Sequence, residues 1–192
     1  MRHIIYYIIL SLSLFSSCNN VDLKTMTDIK IRVFNFTTNN KNYEIFNSQM
    51  IKIVKANESY YIYNFDKHSD TLRYFYSNIY FNSQILKKID TKELVVDGKA
   101  VSISKYYYED KKNYKADRYI FTNNEDGIIF IESLNSGNMT EFNIKNFRKI
   151  HKAIALKELN FKDGPFELKY ANRNYKEFLD SLPDHINTDK GK

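Results

Sequence analysis

Apolar and polar positions alternate through most of the chain from Asp28 onward, the two-residue period of strands with one buried face. In "DIKIRVFNF" the alternation runs through Ile29, Ile31 and Val33 and resumes one place out of step at Phe34 and Phe36. Such a phase slip predicts a β-bulge. Asn39-Asn40-Lys41-Asn42 reads as a turn, and "YEIFNSQMIKIVK" as a strand broken near Asn47-Ser48. "ESYYIYNF" and "DTLRYFYSNIYFN" are aromatic and β-branched, which favours strands. Asp97-Gly98 lies between two strand-like runs and predicts a type I′ hairpin, with Val101, Ile103 and Lys105 on one face and Ser102, Ser104 and Tyr106 on the other. A second hairpin follows in "DRYIFTNNEDGIIFIESL", its loop at Asn123 to Gly127, before "LNSGN" turns the chain into "MTEFNI".

Toward the carboxyl end the period changes. In "NFRKIHKAIALKELNF", Phe147, Ile150 and Ile154 share a helical face, yet the stretch from Ile154 also alternates, so residues 146–161 read as helix or strand, with helix followed by strand preferred. Asp163-Gly164-Pro165 marks a turn. "NRNYKEFLDSL" predicts a short helix capped by Asn172 or Asn174 and ended by Pro183, with residues 184–192 as a tail. The fold class is mainly β (α+β): one domain over residues 28–183, an antiparallel curved sheet arranged as a half-barrel or a sandwich, with one or two helices near the C-terminus.

Ahead of this domain the pattern is of another kind. A positive start, Met1-Arg2-His3, leads into the apolar run Ile4 to Phe15. That run has signal-peptide length and falls short of the roughly 20 residues that span a bilayer. Ser16 and Ser17 then precede Cys18, the one cysteine of 192 residues. This arrangement resembles the lipobox of bacterial lipoproteins, in the looser form familiar in the Bacteroidota, with Phe15 where leucine commonly stands. The resemblance implies a signal peptide over residues 1–17, removal after Ser17, diacylglycerol on the Cys18 thiol and a lipidated tether over residues 18–27. Asn19 after the cysteine implies outer-membrane placement. Ordinary secretion with cleavage elsewhere, or an uncleaved anchor, are the alternatives.

The formal charge of +6 raises the question of a phosphate-bearing partner. The cations are interspersed with acids (Asp28 and Lys30, Lys157 and Glu158), the pattern of a mixed solvated surface, and no nucleic-acid partner is expected. Lys, Asn, Ile, Tyr and Phe are residues of A/T-rich codons, so codon bias accounts for the many tyrosines without a ligand.

Catalytic and metal motifs are weak. His68 in "DKHSD" has Asp66 and Asp70 beside it, but no second His or Cys pair stands at ligand spacing, so a solvated loop is expected. His151 in "RKIHK" reads as a surface or edge residue among cations. The calcium-loop pattern fails in "TNNEDGIIFIES", which has Thr122 at its first place and Ser133 at its twelfth. There is no nucleophile elbow and no phosphate loop, and the acid pairs Glu109-Asp110 and Glu125-Asp126 lie in polar stretches. No catalytic residue, metal or cofactor is expected.

Two readings follow. The domain is a non-catalytic envelope module, structural or binding a protein partner at the membrane surface, or it is a carrier holding an acyl chain or other apolar ligand in the sheet's concavity. The second is similar in architecture to periplasmic lipoprotein carriers, at the level of fold alone. Ile103, Phe121, Ile129 and Ile131 discriminate between them: a closed core around these side chains excludes a lipid, and an open cavity of several hundred Å³ favours one.

Overall fold

The computed structural model describes residues 23–36, 41–111 and 116–165. Its strands are β1 (Leu23–Phe36), β2 (Lys41–Val54), β3 (Glu58–Asn64), β4 (Ser69–Phe75), β5 (Asn78–Phe81), β6 (Gln84–Ile85), β7 (Lys87–Val96), β8 (Lys99–Tyr108), β9 (Arg118–Asn123), β10 (Gly127–Ser133) and β11 (Met139–Glu141), followed by helix α1 (Ile144–Ala155). All eleven strands join one antiparallel sheet in the order β6-β5-β4-β3-β2-β1-β11-β10-β9-β8-β7. Every neighbour is therefore a consecutive strand except at β1–β11. The terminal strands β6 and β7 are separated in the chain by Leu86 alone, so the sheet curls until its two edges meet at that residue. The Asp97-Gly98 turn has φ of 50° and 79°, the type I′ geometry that matches strand twist.

Contacts between strands that are not neighbours identify the concave face. Tyr61 Oη of β3 donates to the carbonyls of Asn124 (2.7 Å) and Glu125 (3.0 Å) in the β9–β10 turn. The Ile128 amide donates to Tyr63 Oη at 2.5 Å. Gly127 sits between these two rings, where a Cβ would lie 2.3 Å from Tyr63 Oη, and its φ of +79° also favours glycine. Across the β6–β7 gap, Phe81 meets Tyr108 edge to face at 5.4 Å and Gln84 donates to the Glu109 carbonyl, while Lys87, on the same side of the gap as Glu109, pairs with its carboxylate at 2.8 Å. Ile29, Ile31, Leu72, Ile120 and Ile128 fill the space between.

On the convex face, Ile150 and Ile154 of α1 pack with Ile103, Tyr107, Phe121, Ile129 and Phe130. A register shift between Ile128 and Phe130 inserts Ile129 as an extra residue, and so places two consecutive apolar side chains under the helix. Burying a side chain of this size contributes about 1.5–3 kcal/mol.

Several boundaries differ from the sequence reading. β1 carries no bulge: it pairs with β2 without interruption from Leu23↔Val54 to Phe36↔Lys41. Its change of phase arises because Ile29 and Ile31 are buried in the concavity while Arg32 and Phe34 are buried on the opposite face. β2 likewise runs unbroken through Asn47-Ser48, where the buried Ser48 hydroxyl donates to the Asn64 carbonyl at 2.7 Å. Strand β1 begins at Leu23, within the stretch read as tether. After Ala155 the chain turns rather than forming a strand, with Lys157 and Asn160 at positive φ. Ser17, Cys18, the helix read near residues 172–182 and the tail lie outside the described residues.

The one join between non-consecutive strands is short, with only Arg32↔Glu141, Val33↔Thr140 and Phe34↔Met139 in register. It is reinforced by a buried ion pair: Arg32 Nε donates to Glu141 Oε2 at 2.7 Å, Nη2 donates to the same oxygen, and the two side chains are 4% and 1% exposed. The guanidinium also lies 4.9 Å from the Phe34 ring centroid. Burial raises the Glu141 carboxyl pKa, opposed by the attraction of Arg32. Breaking such a pair from one side leaves an uncompensated charge, whereas replacing both partners with apolar residues removes the desolvation penalty as well. Glu141→Leu is expected to lose about 3–5 kcal/mol, and Arg32→Met combined with Glu141→Leu to recover most of it, as read from urea unfolding midpoints.

Candidate ligand-binding site

The concavity is filled at one end and open at the other. At the filled end, Tyr61 and Tyr63 are fully buried and tied to the β9–β10 turn. Burial, with Asp126 and Glu125 nearby, pushes the Tyr61 hydroxyl up to about 12, so this floor is uncharged. Toward the open end lies a cavity of about 760 Å³, within the usual range of small-ligand sites.

Its apolar wall is made of Val33, Phe46, Phe65, Ile131 and Phe142. Strand register brings these together: Phe46 stands opposite Ile31 across β1–β2, and Val33 stands opposite Thr140 across the β1–β11 join. Phe142 follows β11 and packs edge to face on Tyr63 at 5.1 Å, which connects the wall to the floor. Phe46 is 40% exposed, a large apolar side chain left open to solvent at the mouth.

The rim is polar and of mixed charge, with Asp66, Lys67, His68, Asp70 and Arg118. The first three belong to the β3–β4 connection, which is closed by the Phe65 amide donating to the His68 carbonyl at 2.9 Å. The His68 ring stacks on Phe65 at 4.6 Å. Asp70 accepts a hydrogen bond from Asn82 Nδ2 at 2.7 Å, and the Arg118 guanidinium lies 5.3 Å from the Tyr108 ring centroid. An apolar wall behind a charged rim accommodates a molecule with an apolar body and a polar head.

The four residues singled out in the sequence do not share one environment. Ile131 lines the mouth, Phe121 lines a separate cavity on the convex face, and Ile103 and Ile129 are closed off beneath α1. His68 is exposed, and among the described residues no group of three or more His, Cys, Asp or Glu side chains is arranged to hold a metal ion. Phe46 and Arg118 were not anticipated. For Phe46 the available signal was an aromatic residue directly preceding the supposed break in β2.

His151 is the clear correction. It is 1% exposed, enclosed between α1 and the sheet beside Phe130 and Phe147, with Nδ1 3.8 Å from Glu141 Oε2. Among the described residues neither ring nitrogen makes a hydrogen bond of ordinary geometry, although the Ile129 and Phe142 backbones approach the ring closely enough to oppose the loss of its proton in part. Desolvation, reinforced by the nearby Arg32 charge, lowers its pKa to about 3, so the imidazole is neutral at ordinary pH. Lys149 and Lys152 are exposed, because a helix places residues one and two apart on different sides, whereas Arg148, three residues before His151, lies on the same side and joins Arg32 in opposing the rise that burial gives the Glu141 carboxyl pKa.

No family model and no curated protein matches the chain. Among solved structures it is similar to a DUF1329 family protein from Desulfovibrio piger, at 9% identity over 86% of this chain and 96% of that one, with a TM-score of 0.20. A likeness at that score carries no argument about fold or function.

The buried histidine makes the protein acid-sensitive. An unfolded imidazole takes up its proton near pH 6.5 and the folded one only at about 3, so between these values the unfolded state binds more protons. The contribution is complete above pH 6.5 and is lost on acidification at about 1.4 kcal/mol per pH unit. His151→Phe is expected to flatten the dependence of unfolding free energy on pH by up to one proton across this window, measured by urea unfolding at matched pH values.

Proposed function

We propose that the chain is a non-catalytic, lipid-anchored binding protein of the bacterial envelope, tethered through Cys18 and placed at the outer membrane. Its β-domain takes an apolar or amphiphilic ligand into the open end of the curved sheet. The observation that carries this reading is the cavity of about 760 Å³ walled by Val33, Phe46, Phe65, Ile131 and Phe142. Burying an acyl chain against such a wall contributes about 0.8 kcal/mol per methylene, and the charged rim leaves a polar head in contact with water and counter-charges. Asp66 and Asp70 beside Lys67 and Arg118 make the rim a poor match for a polyphosphate backbone. The anchor supports the same reading, since two or three acyl chains on Cys18 hold a domain at the lipid surface where such ligands are found.

The test is mass spectrometry of the protein extracted from membranes of its native host, under denaturing and native conditions. The denaturing spectrum is expected to show a chain beginning at Cys18 and carrying acyl chains, absent from Cys18→Ala, and the native spectrum one additional apolar ligand. Phe46→Glu, at a site exposed enough to leave the fold intact, is expected to weaken binding of a fluorescent fatty acid by about tenfold or more. An unacylated chain overturns the anchor, and fatty-acid affinity unchanged in Phe46→Glu overturns the binding site.

A further inference from the structure

The second cavity, on the convex face, has a different chemistry. It measures about 510 Å³ and lies between β8–β10, the end of α1 and the segment 156–164 that follows the helix. Tyr119, Phe121 and Phe161 provide aromatic walls, and Phe121 meets Phe161 at 5.4 Å. The covering segment is fixed in place: the Lys162 amide donates to Asp90 Oδ2 at 3.0 Å, and Gly164 lies so close to Tyr119 that a Cβ there would sit 2.1 Å from its hydroxyl.

Four charged side chains line this space, Lys105 and Lys157 against Glu132 and Asp163. Lys105 is 8% exposed; its Nζ lies 4.1 Å from the Tyr119 ring centroid and donates to the Lys162 carbonyl at 3.0 Å. An ammonium has three donors, and this is the single hydrogen bond it makes among the described residues. Glu132, opposite Tyr119 in the β9–β10 ladder, makes no hydrogen bond or ion pair there. Burial raises the Glu132 carboxyl pKa and lowers that of Lys105, with each side chain's charge opposing the shift of the other. Both groups are thus partly desolvated within one cavity without being satisfied by each other. A codon bias toward lysine or tyrosine explains neither the cavity nor the carboxylate of Glu132 within it.

We propose that this cavity binds a small zwitterion with an aromatic or apolar side chain, of the amino-acid class. Its ammonium pairs with Glu132, its carboxylate with Lys157 and the unused donors of Lys105, and its side chain lies against Tyr119, Phe121 and Phe161. A ligand carrying one charge satisfies only one side of the site. This site is independent of the mouth of the concavity, and its failure leaves the reading of that mouth untouched.

The test is isothermal titration of the intact chain with three probes: phenylalanine, phenethylamine (the cation alone) and 3-phenylpropionate (the anion alone). Phenylalanine is expected to bind at one site, with each single-charge analogue at least about tenfold weaker. Glu132→Gln is expected to weaken phenylalanine and phenethylamine by about tenfold or more and not to weaken 3-phenylpropionate, for which a repelling charge is removed. Lys157→Gln, at an exposed position that does not threaten folding, is expected to weaken phenylalanine and 3-phenylpropionate and to spare phenethylamine. Absence of binding by all three probes, an analogue that matches phenylalanine, or phenylalanine affinity unaffected by Glu132→Gln would each overturn the proposal.

Discussion

The Arg32–Glu141 ion pair lies at the one place, among the described residues, where strands that are not consecutive in the chain pair with each other. Each half of the sheet is a run of consecutive hairpins, and each hairpin closes a short loop at modest entropic cost. The join between the halves brings together residues 109 apart through three register positions. Helix α1 packs over this join, against β1 and β10. Both cavities lie beside elements that the join aligns: Val33 and Thr140 are in register within it, and β10 supplies Ile131 to one cavity and Glu132 to the other.

How far the sequence could be read depends on which signal each element carries. The Asp97-Gly98 and Asn123–Gly127 hairpins were legible because their turn chemistry is local, and the helix because Ile150 and Ile154 keep its period. β1 was misread because a strand buried on both faces has no single alternation, and its second face was interpreted as a slip. The supposed break in β2 has the same origin: Ser48 is buried as a hydrogen-bonded polar residue in a strand, which pattern alone scores as solvent-facing. His151 and Glu132 were illegible because their environments are made by segments distant in the chain. The half-barrel was within reach, while the mouth and the convex cavity depend on curvature that no periodicity encodes.

Tyrosine performs two tasks here. Codon bias explains why the interior is rich in it, but Tyr61 and Tyr63 are placed so that the ring fills the concavity and the hydroxyl bonds the backbone of the β9–β10 turn. Phenylalanine would fill the same space but remove the hydrogen bonds to the Asn124 carbonyl and from the Ile128 amide. The sheet therefore curls around a polar contact at one end, leaving its apolar wall available at the other.

The gap between β6 and β7 has a topological consequence. The strands beside it are successive in the chain, and Leu86 between them bonds through its amide only to Ile79 on its own side, at 2.8 Å. A backbone cut just after Leu86 would sever no ladder, and would divide the described sheet into two meanders that meet along the three β1–β11 residue pairs, the buried ion pair, the packing of α1 on β1, the tyrosine contacts across the interior and the Phe81–Tyr108 and Gln84–Glu109 contacts at the gap itself. The fold is in this sense a split protein held in one chain, with its point of division already present in the architecture.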